Sequence, residues 1–526
     1  MIVAPYREFP FLVPQTFHDF FATVERALRS PQVEIVSLSL PLGTVAPFDA
    51  LARFSQPSDP HFYWEKQDVG ETIAAMGCIA EQQLSGSDRF TLAQRQVNQW
   101  LSTTTVLGDM TTTLAGLHVF CRFTFFDHDD PVAPFPSASI FIPQWHIGRQ
   151  RQQSVFVANV SQGSLAVVEA QCSGLWQRYQ QLKRLTPSAK FKGMRLETVM
   201  AGSAERYYPK RHSLDTWEGG EPMRTPLRSV LGPGRSPNLH PVSAVEPSVS
   251  PVAALTLSGP QKQQFKQSVM AALAAIDAQT ISKVVLAQVL DVEASSAFQV
   301  FPSLQNLRQR HTDCHIFSTA NGMGQVFLGA SPERLLRIRD RTLYTEAIAG
   351  SAPRGVTPAE DEQLGQALSS SLKELHEHQL VVNFISQQLM QLGLEPQRSP
   401  FPRLLKLLNI QHLHTPIHAT LTPDLNALEV LALLHPTPAV AGVPQAPACA
   451  LIQQQESFQR SLYAAPLGWI NHRGDSEFIV GIRSALLDGS VSRLYAGAGI
   501  VRGSQPDQEM SEIELKLQTL LTALLF

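Results

Sequence analysis

The sequence predicts a protein of the α+β class, and three observations support this class. Short apolar runs that alternate with polar residues, typical of strands, recur along the chain. Longer segments repeat apolar residues at the spacing of one helical face. Both kinds of segment occur on each side of a proline-rich stretch at residues 212–260. Helices and strands are therefore mixed in both halves of the chain.

In the first half, residues 138–144 and 153–160 are predicted strands because their apolar residues alternate. Residues 91–107 and 165–185 are predicted helices. The stretch 212–260 carries eight prolines without a period, among Ser, Gly and Val, which indicates a linker or a surface insertion. The sequence thus divides into residues 1–211, the segment 212–260, and residues 261–526.

The second half is also mixed. A helix is predicted at residues 261–276, with Phe265, Val269, Leu273 and Ile276 on one face, and a β-branched strand at 283–292. Further predicted strands are 325–330, 341–349, 478–486 and 491–495, and further predicted helices are 359–392 and 507–524. The apolar face predicted for the helix at 359–392 consists of Leu368, Leu372, Leu375, Val381, Phe384, Ile385 and Leu389.

Composition excludes several classes of function. The 526 residues contain 42 Lys and Arg against 45 Asp and Glu, a formal net charge of -3, so we expect no nonspecific nucleic-acid binding. None of the five cysteines stands at the CxxC spacing of zinc or redox sites, which favours a reducing compartment. No secretory signal is visible at the start, and no apolar run approaches the ~20 residues that span a bilayer. We expect a cytoplasmic protein that binds no membrane.

Two pairs of glutamates are spaced three residues apart on predicted helices. Glu374 and Glu377 form one pair, and Glu509 and Glu512 form the other. At this spacing the members of a pair share a helical face. If the two faces met, they would supply the carboxylate oxygens that suit Mg2+. A solvated helix face is the alternative for either pair alone.

Nine motifs accompany these pairs in the second half. They are KVVLAQ (283–288), FLGASPERL (327–335), TEAIAGS (345–351), KELHEHQLVV (373–382), QHL (411–413), HPTPAVAGVP (435–444), IRSA (482–485), YAGAGIVRGS (495–504) and EMSEIELK (509–516). In these motifs and their order the chain resembles the chorismate-utilising enzymes, which include anthranilate synthase component I, and within them the isochorismate synthases. FYWEK (62–66) and the region 125–145 are similar to the menaquinone and phylloquinone type.

The resemblance implies a large α/β sandwich with antiparallel-rich sheets and helices outside. It also implies an isomerase that adds water at ring carbon 2 of chorismate and expels the hydroxyl at carbon 4, in quinone biosynthesis and as a monomer. Lys283 resembles the family's base and Glu333 its acid. A base lysine must be unprotonated, whereas an acid glutamate must be protonated, so the two need different surroundings. An ordinary charged residue at a strand or helix start is the alternative for each.

The resemblance further assigns a metal and a substrate site. Glu377 and Glu512 would bind Mg2+ directly, while Glu374 and Glu509 would hold metal-bound water. The implied substrate contacts are Arg483 and Tyr463 for the enolpyruvyl carboxylate, a turn at Gly497 and Gly499, and Gly350, Lys516 and His412. Packing roles are the alternatives for Tyr463 and His412.

Single positions discriminate among the family's reactions. Lys283 argues against an anthranilate synthase, which typically lacks this lysine. Ala439 stands where salicylate and aminodeoxychorismate synthases have threonine, and it leaves room for water. A salicylate synthase and a non-catalytic chorismate-binding member remain as alternatives, and a siderophore pathway remains open. The chain departs from the family at two positions, with Gln288 in place of arginine and Ala465 in place of glycine.

Overall fold

The computed structural model describes residues 13–128, 133–185, 257–407 and 410–524. Its helices are α1 (Phe17–Leu28), α2 (Pro47–Phe54), α3 (Arg89–Ser102), α4 (Leu165–Lys183), α5 (Gly259–Asp277), α6 (Val300–Arg310), α7 (Pro358–Ser370), α8 (Leu372–Gln391), α9 (Ala427–Leu434), α10 (Gln445–Gln455) and α11 (Pro506–Leu524). The strands of the first half are β1 (Ile35–Gly43), β2 (Pro60–Lys66), β3 (Glu71–Met76), β4 (Ala80–Leu84), β5 (Thr104–Gly108), β6 (His118–Phe123), β7 (Ala138–Ile142), β8 (Trp145–Gln150) and β9 (Gln153–Ser161).

The second half adds thirteen more strands. They are β10 (Lys283–Glu293), β11 (His315–Asn321), β12 (Gln325–Ser331), β13 (Arg334–Arg339), β14 (Thr342–Pro353), β15 (Gln397–Arg398), β16 (Arg403–Lys406), β17 (Ile410–Thr420), β18 (Gly442–Val443), β19 (Pro466–Asn471), β20 (Ser476–Val480), β21 (Ser484–Asp488) and β22 (Val491–Val501).

The strands form two large sheets. One has twelve strands in the order β18, β10, β22, β21, β12, β11, β2, β3, β8, β9, β1, β5. The other has the order β15, β17, β14, β13, β20, β19, β6, β7, β4, with β16 also paired to β17. Among the described strands, β1 and β5 are the one parallel pair. The predicted α+β class with antiparallel-rich sheets is confirmed.

Both halves of the chain contribute to both sheets. In the first sheet β2 lies against β11, with Trp64 opposite Phe317. In the second β6 lies against β19, with Phe120 opposite Trp469. Strands such as β3, β6 and β7 are buried along their whole length, as expected for sheets covered on both faces. Each buried large apolar side chain stabilises this core by about 1.5–3 kcal/mol.

Two predicted elements are each split in the structure, and both splits lie near the site. The helix predicted at 359–392 is wrong as one element, because Ser371 has extended backbone angles and caps α8 by accepting from the amide of Glu374. Leu372, predicted to be apolar core, is 85% exposed just after the break. The strand predicted at 478–486 is wrong in the same sense, since β20 lies in one sheet and β21 in the other. Arg483, with a φ of 49°, lies at this crossing.

The end of another predicted helix also differs from the prediction. The helix predicted at 91–107 ends at Ser102, and β5 begins at Thr104. Threonines 103–105 explain the change, because β-branched residues favour strands over helices. The helices predicted at 165–185, 261–276 and 507–524 are confirmed as α4, α5 and α11.

Most of the proline-rich segment 212–260 lies outside the described residues, so its role as a linker or insertion stays a prediction. Its last residues are described, and there Ser258 caps α5 by accepting from the amide of Gln261. In the described parts of the chain, none of the helices has the length and apolar character needed to cross a bilayer.

Candidate active site

One cavity of about 100 Å3 gathers most of the predicted site residues. Eleven of the fourteen line it, namely Glu333, Gly350, Glu377, His412, Ala439, Tyr463, Arg483, Gly497, Gly499, Glu512 and Lys516. The other three lie close by. Lys283 contacts Glu377, Glu374 accepts a hydrogen bond from the cavity-lining Ser351, and Glu509 lies one helical turn before Glu512. Residues separated by up to 233 positions in the chain therefore converge on one place.

Lys283 begins β10 and is buried, with 1% of its surface exposed. The strand pairs with β22 on one side and with the short β18 on the other, so Lys283 does not stand at an open edge. Its Nζ lies 2.9 Å from Oε1 of Glu377, at the start of α8. A charge this deeply buried is tolerated because a group of opposite charge lies close to it.

Glu333 lies in the turn between β12 and β13, directly after Pro332, and is 5% exposed. Its amide donates to Oγ of Ser331, and its carbonyl accepts from the amide of Val480, which fixes the turn. Burial, reinforced by the Glu346 carboxylate and opposed by Lys283, raises the pKa of Glu333 to about 8. The carboxyl is therefore mostly protonated at neutral pH, as a general acid must be.

The glutamate pairs of α8 and α11 lie near each other. Nζ of Lys373 is 3.4 Å from Oε1 of Glu374 and 3.2 Å from Oε1 of Glu509, so one ammonium spans the two helices. Burial and the neighbouring Glu377 raise the pKa of Glu374. Burial, together with Glu512 and against the effect of Lys373, raises the pKa of Glu509. These carboxylates are close enough to repel one another.

The donor set fits Mg2+ better than a metal that needs a closed cage. Within the described ranges, no three His, Cys, Asp or Glu side chains converge as ligands of one ion. Mg2+ does not require such a cluster, because it binds through one or two carboxylates and keeps several waters. Glu377 and Glu512, both on the cavity wall, offer two carboxylates from two helices.

Arg483 is held by a chain of hydrogen bonds across the cavity. Its Nη2 lies 3.1 Å from Nε2 of His412, whose Nδ1 lies 3.0 Å from Oγ of Ser351. Burial and the Arg483 charge hold the pKa of His412 well below its usual value, so the ring is neutral. Because arginine only donates, Nε2 must accept and Nδ1 must donate to Ser351. His412 thus orients the guanidinium toward the cavity.

Gly497 and Gly499 do not form the predicted turn. Both lie within β22, paired with Ala287 and Val285 of β10, and neither has a positive φ. Both glycines allow a side chain from elsewhere in the chain to approach β22 closely. A Cβ on Gly497 would lie 2.7 Å from Oη of Tyr463, and one on Gly499 would lie 2.5 Å from Oε1 of Glu377. Only glycine leaves room for these two side chains against the strand.

The remaining predicted residues complete the wall. Nζ of Lys516 donates to the carbonyl of Gly497 at 2.7 Å and lies 2.7 Å from Oε1 of Glu512, so it joins α11 to β22. Gly350 interrupts β14 with a φ of 77°, where a side chain would crowd Glu374. Ala439 lines the cavity from the segment before β18, where a larger side chain would enter the space.

Several site residues were missed from the sequence. Ser351 holds His412, Tyr495 stacks on Tyr463 with ring centroids 5.0 Å apart, and Lys373 bridges two glutamates. Ser351 is adjacent to Gly350, and Lys373 is adjacent to Glu374. This adjacency was the signal by which Ser351 and Lys373 could have been identified from the sequence. Gln288, by contrast, bonds the carbonyl of Gln261 in α5 and does not line the cavity. The departure at that position is therefore remote from the chemistry.

Known proteins resemble this chain in sequence and in fold. The family model described as "Chorismate binding enzyme" matches residues 22–209 and 238–525. A salicylate biosynthesis isochorismate synthase of Pseudomonas aeruginosa is 30% identical over 525 residues, 97% of this chain and 95% of its own. The isochorismate synthase MenF of Escherichia coli is 39% identical over 267 residues, 50% of this chain and 61% of its own.

A solved structure extends the likeness over the whole fold. The menaquinone-specific isochorismate synthase MenF from Escherichia coli superposes with a TM-score of 0.67 at 25% identity, covering 97% of this chain and 100% of that one. The family model alone spans well over half of the sequence, across both sheets. The chain belongs to the chorismate-binding enzyme family.

Proposed function

We propose that this protein is a Mg2+-dependent isochorismate synthase, which converts chorismate to isochorismate. The observation that carries the proposal is one cavity lined by a protonated Glu333, by Arg483 and by Glu377, which pairs with the buried Lys283 beside the cavity. Two full-length likenesses, to the Pseudomonas aeruginosa synthase and to the Escherichia coli MenF structure, support the same reaction.

The reaction requires a base for the attacking water. The water oxygen bonds to ring carbon 2, and its proton passes to Nζ of Lys283. Lysine accepts a proton only as the neutral amine, so Nζ must first lose its own proton, which also ends its ion pair with Glu377. The buried position of Lys283 favours this role, because bulk water does not compete with the attacking molecule.

The reaction also requires an acid for the departing group. As the bond between carbon 4 and its oxygen breaks, the ring double bonds shift and Glu333 donates its proton to the leaving hydroxyl, which departs as water. The pKa of about 8, caused first by burial, keeps this proton in place at neutral pH. One water enters and one leaves, so the net reaction is an isomerisation.

The substrate's two carboxylates account for the cations of the site. Arg483 offers a planar pair of donors to the enolpyruvyl carboxylate, and the hydroxyl of Tyr463 adds a third donor. Lys516, Gly497 and Gly499 line the other side of the cavity. Mg2+, held by Glu377 and Glu512 with Glu374 and Glu509 around its waters, would neutralise the ring carboxylate.

Ala439 favours isochorismate over the products of related enzymes. Its methyl group leaves space on the wall of the cavity, where threonine would place a hydroxyl and an extra carbon. This space suits an attacking water. A salicylate synthase, which continues to pyruvate elimination, is the second candidate, and a chorismate-binding protein without turnover is the third.

The proposed pathway is quinone biosynthesis of the menaquinone or phylloquinone type. The likeness to the menaquinone-specific MenF structure over 97% of the chain supports it. The relative named for salicylate biosynthesis, which also matches 97% of the chain, favours a second pathway. Deleting the gene in its own host and measuring quinone and salicylate separately distinguishes the two.

A chromatographic product assay tests the activity. Purified protein is incubated with chorismate, with and without Mg2+, and isochorismate, salicylate, anthranilate and aminodeoxychorismate are resolved. We expect isochorismate as the product, formed only with Mg2+. Salicylate as the main product would establish the second candidate, and bound chorismate without any product would establish the third.

A further inference from the structure

Every glutamate of the proposed metal site has a lysine partner in this structure. Lys283 pairs with Glu377 at 2.9 Å, Lys516 pairs with Glu512 at 2.7 Å, and Lys373 contacts the remaining two. Four carboxylates and three ammonium groups leave this cluster with one net negative charge. The fold therefore balances much of the acidic charge with its own side chains.

Lys373 differs from the other two lysines in position and in role. Lys283 is the proposed base, and Lys516 also donates to the carbonyl of Gly497 on the cavity wall. Lys373 does not line the cavity, is 31% exposed at its side chain, and joins Glu374 of α8 to Glu509 of α11. The proposed reaction gives it no step, although it lies between two of the acidic residues.

We propose that Lys373 is a built-in counter-cation, which holds the carboxylates of α8 and α11 together without metal and competes with Mg2+ for them. The inference rests on the proposed function, because it takes Mg2+ as the ion that these glutamates bind. Lys373 sets the affinity of the site and keeps it assembled when the ion is absent.

The charge of the cluster gives the direction of the effect. Removing the Lys373 ammonium leaves two net negative charges instead of one, so a divalent cation is attracted more strongly. For a unit charge a few ångströms from Mg2+ in a solvated setting, we expect Mg2+ to bind about tenfold more tightly. Without metal the same change leaves Glu374 and Glu509 to repel each other, so α8 and α11 separate more easily.

The experiment compares Mg2+ titrations of four proteins without substrate. They are the wild type, Lys373→Met, Lys373→Arg and Lys262→Met. The arginine variant keeps the charge at this position. Lys262 pairs with Glu514 of α11 at 2.6 Å outside the cluster, so its replacement controls for the loss of an ion pair to the same helix. Calorimetry gives the Mg2+ affinity, and thermal melting with and without Mg2+ gives the stability.

We expect Lys373→Met to bind Mg2+ about tenfold more tightly than the wild type and to gain more in Tm from Mg2+. Lys373→Arg and Lys262→Met should match the wild type in Mg2+ affinity. Unchanged or weaker binding by Lys373→Met would overturn the inference, and if that variant does not fold, Lys373→Gln takes its place. Isochorismate formation by the wild type is measured in parallel, so the proposed function fails only if that product is missing.

Discussion

Nζ of Lys283 lies 2.9 Å from Oε1 of Glu377, so the proposed base and a proposed metal ligand form one buried ion pair. The two functions are therefore coupled. A substitution that removes the lysine also removes the counter-charge of Glu377, and a loss of activity would have two causes. Variants that keep the charge separate these causes.

Lys283→Arg tests the base without removing the charge. Arginine can still pair with Glu377, but it is not deprotonated in proteins and cannot accept a proton from water. We expect turnover to fall by about 10²–10⁴-fold, with Mg2+ and chorismate binding largely retained, as measured by kinetics and calorimetry. Lys283→Ala should lose the same turnover and also change Mg2+ binding. Near-normal turnover of Lys283→Arg would exclude Lys283 as the base.

The raised pKa of Glu333 predicts that activity falls at alkaline pH. Burial raises its pKa to about 8, and only the protonated form donates to the leaving hydroxyl. Turnover should therefore fall as the pH rises through about 8. Glu333→Gln should lose about 10²–10⁴-fold in turnover while chorismate binding remains. A Glu333→Gln enzyme with wild-type kinetics would show that another group is the acid.

Gly499→Ala tests the close approach of Glu377 to β22. The added Cβ would lie 2.5 Å from Oε1 of Glu377, so the carboxylate must move and its ion pair with Lys283 weakens. We expect a loss of stability of about 1–3 kcal/mol, measured by denaturant unfolding, together with a large loss of turnover. Gly174→Ala in α4, where a Cβ meets nothing within 4 Å, is the matched control and should do neither. Full activity of Gly499→Ala would mean that Glu377 is not held in this position during the reaction.

The lowered pKa of the buried His146 predicts that acid destabilises the fold. The ring is fully buried against His118, with centroids 4.7 Å apart, and burial lowers its pKa to about 3. Between pH 6.5 and 3 the unfolded chain takes up this proton and the folded chain does not, so stability present above pH 6.5 is lost as the pH falls. His146→Phe should therefore show a smaller drop in Tm between about pH 7.5 and about pH 5.5. An equal drop in both proteins would assign the acid sensitivity to other groups.

The fold class could be predicted from the sequence because it depends on local patterns, whereas most of the candidate site residues were assigned by resemblance to a family. Alternating apolar residues indicated β7 and β9, and the spacing of Glu374 and Glu377 placed both on one helical face. The break at Ser371 was not visible, because the flanking residues suit a helix on both sides. The crossing at Arg483 was hidden in the same way, since an apolar run reads as one strand whether or not it changes sheets.

The site features that could not be predicted from the sequence depend on contacts between distant elements. The protonation of Glu333 depends on its burial and on Glu346, which lies thirteen residues away in β14. The need for glycine at position 499 depends on Glu377, from another element. The residues that flank positions 333 and 499 in the sequence reveal neither of these two relationships. Only the assembled sheets show why these residue types occur where they do.

The central claim is that this cavity adds a water molecule to carbon 2 of chorismate. The most direct measurement is the early product formed in water enriched in oxygen-18, analysed by mass spectrometry. The account predicts isochorismate that carries one heavy oxygen, at the carbon 2 hydroxyl, in the wild type and at a far lower rate in Lys283→Arg. Isochorismate without the label would show that the original hydroxyl migrates within the substrate, and the proposed roles of Lys283 and Glu333 would then be wrong.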